Sequence, residues 1–348
     1  MVLKGLRGKL RPLRKIATAL QGAILFRFSN LVISLLKPKL ILTYDNAVKP
    51  DGVGAQVQRI LALRSMASNL GLNYFHTEID SVAVHPLDPY QTHSELKDFV
   101  SELNRTFFIE STVDLDLSKF KDISIRSLTF TNFFVLTLKS VVYKEAILIR
   151  CLEPYAVCDH DPNVYKDVRE FLPNFKPIEQ TAFTLGIHYR RGVGGMAVQQ
   201  GESVSRELKP QYLIGIANKL TQSRLPSETK IRLYTDAPKD DLQYAPPKVQ
   251  ADLWSNSPRF QQGIMSVIGA DPDILFNDLS VAPQVIRGGD PLVAIRELAG
   301  LDALIMSRSS FSYLGAILNN RGKIYFPKSF WHRPMAGWEV VSEGLTND

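Results

Sequence analysis

Gly186-Ile187-His188-Tyr189-Arg190-Arg191-Gly192 closes an apolar run that begins at Ala182. Read as a strand, that run delivers a histidine, two consecutive arginines and a glycine to its carboxyl end. Arginine presents a rigid fork of donors suited to phosphate, and glycine lets backbone N–H groups approach the same anion. Two adjacent cations need an anionic partner, either a bound phosphate or a structural cluster with Asp or Glu. The phosphate reading is the stronger one, because parallel α/β sheets take their ligands at the carboxyl ends of strands.

The neighbouring sequence repeats the strand-and-helix alternation. Downstream, helices are predicted over Lys209–Leu220, Pro291–Gly300 and Phe311–Leu318, and strands over Lys230–Tyr234, Ala303–Met306 and Lys323–Phe326. Upstream, Lys39–Tyr44 reads as a strand, and Gln56–Leu70 carries Val57, Ile60, Leu61, Leu63 and Met66 at helical spacing before Gly71. Asn73–Ile79, Phe107–Ile109 and Ala146–Arg150 read as strands and Ser94–Leu103 as a helix. Pro173 and Pro177 bracket a short linker. The expected fold class is α/β, with two Rossmann-like domains facing a cleft, residues 40–176 and 177–348.

Two further strand ends carry chemistry. Leu304-Ile305-Met306 runs into Ser307-Arg308-Ser309-Ser310-Phe311, a serine cluster that opens a helix. A helix start leaves N–H groups unpaired and partly positive, so it takes phosphate readily, although Ser309 or Ser310 would also serve as an ordinary N-cap. With the arginine loop it describes one diphosphate site on adjacent strand ends. Tyr234-Thr235-Asp236-Ala237-Pro238 places a carboxylate at a third strand end, to hold a ligand hydroxyl or to start a turn.

Composition sets the outer bounds. The chain has 348 residues, 45% hydrophobic and 22% charged, as in ordinary folded proteins and unlike disordered, collagenous or polytopic ones. Its net charge of +6 is unevenly spread, with nine basic residues and no acid in residues 1–39. The remainder holds 32 basic and 35 acidic residues, or −3, which argues against nucleic acid as a partner of the body. The basic segment points instead to an anionic membrane surface. Residues 16–36 are long enough to span a bilayer, but Arg27 near their centre costs about 2.5–3.5 kcal/mol on the insertion scale. A helix lying in the interface fits better than a spanning one, and a helix packed on the protein is the remaining alternative. No cleavage site reads as a secretory signal.

Other features weigh little. Cys151 and Cys158 make at most one disulfide, and Cys151, Cys158 and His160 are spaced too widely for an ordinary zinc pair. Asn104-Arg105-Thr106 is a glycosylation sequon, meaningful only in a lumenal body. His76, His85, His93 and His332 stand alone and read as packing or surface residues. Gly52-Val53-Gly54 has Val57 where the third glycine of a dinucleotide fingerprint belongs, which argues against an oxidoreductase.

The motifs together resemble those of the fucosyltransferase superfamily, closest to its α1,2 branch. His188-Tyr189-Arg190-Arg191-Gly192 looks like its His-x-Arg-Arg motif, and Ser309-Ser310-Phe311-Ser312-Tyr313-Leu314-Gly315-Ala316 is similar to the branch's serine–aromatic–glycine–alanine motif. Asp51-Gly52-Val53-Gly54-Ala55-Gln56 resembles its early glycine–glutamine loop. Tyr234-Thr235-Asp236 and Ile324-Tyr325-Phe326-Pro327 follow in the family's order, so the resemblance covers residues 45–332. The chain departs from the branch at Val193, where Asp is usual, and at Ala294, for which Asp290 one turn earlier is the substitute.

The resemblance implies a GT-B-type, inverting, metal-independent transferase with GDP-fucose as donor and a glycan hydroxyl as acceptor. The N-terminal domain would face the acceptor and the C-terminal domain the donor. Arg190 and then Arg191 would neutralise the leaving diphosphate. His188, Gly192, Asp236, Asp290, Ser309, Ser310, Phe311, Gly52, Gly54 and Gln56 would bind substrate, and no cofactor or metal is expected. Asp240-Asp241 and Asp271-Pro272-Asp273 are the acidic pairs nearest to a metal–diphosphate motif. The implied location is a membrane surface, cytoplasmic in a bacterium or lumenal in the Golgi of a eukaryote. A transferase using another nucleotide-sugar or sulfate donor, or a non-catalytic GDP-sugar or glycan-binding protein on the same fold, is the alternative.

Overall fold

The computed structural model describes residues 24, 27–46, 51–85, 87–90, 92–113, 116–161, 164–191, 196–199, 202–205, 207–244, 265–267 and 269–342. In the first half of the chain the elements are α1 (27–36), β1 (Leu40–Tyr44), α2 (Val53–Leu70), β2 (Asn73–Tyr74), α3 (His93–Thr106), β3 (Lys121–Ser127), α4 (Phe130–Val142), β4 (Ile147–Glu153) and α5 (Tyr155–Cys158). The second half holds β5 (Phe183–Tyr189), β6 (Met196–Gln199), β7 (Glu202–Ser205), α6 (Pro210–Thr221), β8 (Thr229–Thr235), β9 (Leu242–Tyr244) and β10 (Met265–Val267). It ends with α7 (Pro272–Leu275), β11 (Pro283–Arg287), α8 (Pro291–Ala299), β12 (Ala303–Ile305), α9 (Ser310–Leu318), β13 (Lys323–Pro327) and β14 (Glu339–Val341).

Two compact units result. The first takes its described residues from 1–48, 59–78 and 109–171, and the second from 49–58, 79–108 and 172–348. The break at 171/172 lies just before the Pro173–Pro177 linker and five residues ahead of the expected 176/177 boundary, and segments 49–58 and 79–108, expected in the N-terminal domain, belong to the second unit. The reason is tertiary: the Asn104 side chain bonds both the N–H and the C=O of Ile79, and Arg296 reaches the Thr106 hydroxyl at 3.2 Å. Phe107 stacks on Phe175 with ring centroids 5.5 Å apart.

The first unit is a four-stranded parallel sheet in the order β2-β1-β4-β3. All of Leu40–Tyr44 is buried, as a continuous apolar run on a sheet covered on both faces requires. β2 is shorter than the expected Asn73–Ile79 strand, because from His76 onward the backbone turns to side chains; His76 N–H donates to the Ser111 hydroxyl at 3.0 Å. Phe107–Ile109 forms no strand, since the Phe107 N–H instead closes α3 on the Leu103 carbonyl. β3 and α4 were not expected. β3 is a largely exposed edge strand, with Asp122 paired to Arg150 on β4 at 2.8 Å. α4 starts with a capping box between Thr129 and Asn132 and turns Phe133, Leu136, Thr137 and Ser140 inward. The Ser140 hydroxyl accepts the Lys39 N–H at 2.9 Å and donates to the Glu145 carbonyl at 2.8 Å, which explains a polar residue on the buried side. Cys151 and Cys158 are buried free thiols, both pushed up in pKa mainly by burial.

The second unit carries a six-stranded, wholly parallel sheet in the order β11-β8-β5-β12-β13-β14. Leu185, Ile187, Leu233 and Ile305 from its central strands meet Leu213 and Ala217 of α6 in one core. Its carboxyl edge exposes the ends of β5, β8, β11 and β12 side by side, which places the three sequence motifs on one rim. The fold is therefore α/β with two parallel sheets.

Candidate active site

The loop after β5 is held by carboxylates. Asp236, at the end of β8, accepts the Arg191 backbone N–H at 2.8 Å and lies 3.6 Å from Arg190 Nε and 3.5 Å from His85 Nε2. Arg191 Nε sits 3.8 Å from Glu207, which also accepts the Tyr189 hydroxyl at 2.8 Å. The cluster of arginine and acid that the sequence offered as an alternative is thus present. Both Nε–carboxylate separations exceed hydrogen-bond length, so these are charge pairs that orient the guanidinium groups. Asp236 consequently positions the arginine loop through its own contacts, in addition to any ligand contact. Gly192 lies outside the described residues.

His188 does a related job on the adjacent strand. Its Nδ1 meets the Ser307 hydroxyl at 2.5 Å, and its ring stacks on Phe311 with centroids 5.8 Å apart. Burial, followed by the charge of Arg190, lowers its pKa from 6.5 to about 4, with Asp236 opposing. The imidazole is neutral at pH 7, so it locks the loop after β5 to the start of α9 as a dipole and not as a cation.

Two helix starts meet at this rim. Ser309 is the N-cap of α9 and accepts the Phe311 N–H at 3.3 Å, while Ser310 opens the helix half-buried. Gly54, in the first turn of α2, lies so close that a Cβ there would stand 2.5 Å from Phe311 Cα and 2.7 Å from its nitrogen. Only glycine allows that approach, and it brings two partly positive helix ends together. The Gln56 amide donates to the carbonyls of Asp51 and Ser81 at 2.8 and 2.9 Å, and Gly52 N–H donates to Asp51 Oδ1 at 2.8 Å. In this structure Gln56 therefore fastens the loop that presents Gly54. Gly54→Ala is expected to destabilise the protein by about 1–3 kcal/mol, because the backbone clash outweighs alanine's helical gain of about 1 kcal/mol. Urea unfolding checks it, and an unchanged midpoint would refute the close approach.

A further group completes the rim, and it includes His85, which the sequence offered only as a packing or surface residue but which lies 3.5 Å from Asp236. The loop Ile79–Tyr90 brings in His85, Asp88 and Tyr90. Asp88 Oδ2 accepts the His85 N–H at 2.6 Å, and burial raises its carboxyl to about 6, opposed by His85 and Arg190 and reinforced by Asp290. Tyr90 donates to Asp290, and burial with that negative charge pushes the phenol up. Asp290 itself caps α8, accepting the N–H of Leu292 at 2.7 Å. It thus starts a helix, and its charge reaches both Asp88 and Tyr90. The glycine pair ahead of it lets the backbone pass close to Leu87, with φ of +61° at Gly288. The sequence signal for this loop was only a histidine before Pro86 and a carboxylate between Pro86 and Pro89.

The acidic pairs are engaged elsewhere. Asp271 caps α7 through the Asp273 N–H at 3.1 Å, and Asp241 accepts the Gly269 N–H at 2.7 Å. Among the described residues no three His, Cys, Asp or Glu side chains group closely enough to hold a metal ion.

No protein-family model matches the chain, and no curated protein does. Two solved glycosyltransferase structures are similar to it. One is a glycosyl transferase family 9 protein from Veillonella parvula, 11% identical over 88% of this chain and 85% of that one, with a TM-score of 0.36. The other is the E. coli heptosyltransferase WaaC with ADP-2-deoxy-2-fluoro heptose, 9% identical over 87% and 92%, with a TM-score of 0.32. Likenesses at that level decide neither fold nor chemistry, and neither neighbour is a fucosyltransferase. The fold assignment rests on the strand order and register above.

Proposed function

We propose that the protein is an inverting glycosyltransferase that takes a GDP-sugar as donor, with fucose as the sugar read from the order of its motifs. One observation carries this reading: Arg190, Arg191 and the starts of α2 and α9 converge on a single strand-end rim. That is where a diphosphate leaving group would need positive charge. Arg190 neutralises the phosphate nearest the bond that breaks, Arg191 and the helix N–H groups share the remaining charge, and His188 holds the two halves of the cradle together. The acceptor hydroxyl attacks the anomeric carbon opposite the leaving group. Asp88, whose carboxyl burial raises to about 6 beside the charge of Arg190, is the candidate we assign to take its proton.

The test is a donor panel with purified full-length protein. GDP-fucose, GDP-mannose, an ADP-sugar and an activated sulfate donor are compared for hydrolysis and transfer to a glycan array, with and without EDTA. Turnover of GDP-fucose that survives chelation is expected. Preference for the ADP-sugar would overturn the donor assignment, full dependence on Mg²⁺ or Mn²⁺ would overturn the metal-free mechanism, and tight binding without turnover would make the protein a sugar-nucleotide-binding protein.

A further inference from the structure

Two helices of the first unit carry apolar side chains on their exposed as well as their buried sides. In a helix facing water the polar residues lie outward and the apolar stripe inward. α1 buries Ser29 and Ile33 and also exposes Phe28, Leu31 and Leu35, the last at 71%. α4 buries Phe133 and Leu136 together with Thr137 and Ser140, and it also exposes Phe134, Val135, Leu138 and Val142, the last at 66%. Phe28 and Phe134 stand with ring centroids 6.3 Å apart, so the two faces adjoin in one apolar patch.

The charges around this patch have one sign. Arg27, Lys37 and Lys39 flank α1, and Arg126, Lys139 and Lys144 flank α4; all six are exposed. No acidic residue occurs from 24 to 44 or from 123 to 144. Bordering the α4 stretch, Asp122 is paired with Arg150 at 2.8 Å and Glu145 with Lys121 at 3.2 Å, while Asp45, which follows the α1 stretch, is buried and accepts the Ser124 hydroxyl. A second copy of the chain, docked face to face, would set these cations against their own counterparts. A surface that combines aromatic and aliphatic side chains with a wholly cationic border matches a lipid bilayer with anionic headgroups.

We infer that α4 and α1 together form a membrane-seating face. Phe134, Leu138 and Val142 enter the boundary between headgroups and acyl chains, and the flanking lysines and arginines rest on lipid phosphates. Among the described residues no helix is long and apolar enough to cross a membrane. The face extends the attachment expected of residues 1–39 to a second helix, about a hundred residues away in sequence and free of any basic-tail signature. It does not depend on the proposed transfer reaction.

The experiment is vesicle flotation of the full chain. Wild-type protein is expected to float with vesicles of phosphatidylcholine mixed with phosphatidylglycerol, to stay down with phosphatidylcholine alone, and to detach partly at high salt. The triple variant F134S/L138S/V142S is expected to lower the partition coefficient about tenfold or more, with an unchanged far-UV circular dichroism spectrum because the side chains are exposed. The pair K139E/K144E, which leaves the apolar face intact, is expected to weaken binding to the anionic vesicles only. It keeps the test open should the triple variant misfold. Undiminished flotation of either variant would overturn the proposal and leave attachment to the N-terminal segment. Loss of a wild-type dimer in the triple variant, with flotation unchanged, would assign the face to a second copy instead.

Discussion

Arg190→Lys is expected to lower the turnover of donor by about 10²- to 10³-fold while moving KM much less. Lysine keeps the positive charge and can still pair with Asp236, which lies 3.6 Å from Arg190 Nε in the wild type, so the loop after β5 keeps its anchor. What lysine lacks is the planar fork that grips two phosphate oxygens at once. Because negative charge on the leaving diphosphate grows as the bond breaks, the missing donor is felt in kcat more than in ground-state binding. Initial-rate kinetics on the purified variant decide the matter. A kcat near wild type would remove Arg190 from the reaction and leave it as a partner of Asp236.

The second large effect is on stability. His188 is buried, and its pKa in the folded protein is lowered from 6.5 to about 4. Above pH 6.5 neither folded nor unfolded chain carries a proton there. As pH falls from 6.5 toward 4 the unfolded chain takes one up while the folded chain does not, so folding weakens across that window. Once below about 4 both forms are protonated and the effect is complete, at about 3 kcal/mol for this residue. Urea unfolding followed from pH 7 to pH 4 measures it, and His188→Asn should flatten the slope contributed by the second unit. His76 in the first unit is lowered to about 4 by burial and should act in the same direction. A second unit whose stability is flat between pH 7 and 4 would contradict the buried neutral imidazole.

Much of the framework was legible because it rests on local pattern. β5 and β12 are largely apolar, β8 sets Ile231 and Leu233 between Lys230 and Arg232, β13 carries Ile324-Tyr325-Phe326, and α2 has apolar residues at helical spacing although nearly all of its length is buried. Arg190, Ser309 and Gly54 could be picked out since each sits at the start or end of such an element. β3 escaped notice because its exposed Lys121, Asp122 and Arg126 dilute the alternation of an edge strand. α4 escaped because its apolar residues do not mark the buried side. His85 and Asp88 come from a loop roughly a hundred residues before the strand they serve, and no spacing rule spans that distance. The roles of the carboxylates were hidden for a different reason. Sequence places Asp236 and Asp290 at element ends, but only three-dimensional partners show one holding Arg191 and the other capping α8.

The unit that bears the rim is assembled from three stretches of chain, of which 49–58 and 79–108 emerge from the ribosome long before 172–348. Those early stretches supply Gly54, His85 and Asp88, yet their docking ground does not exist until β5, β11 and α9 have been made. For the interval of their synthesis they are polypeptide waiting for a partner, and domain-by-domain folding from the N-terminus is denied to this chain. A gene fragment encoding 172–348 alone would yield a sheet without its lid of incoming residues. Recombination between homologues at the 171/172 break would mismatch the two sources of one rim.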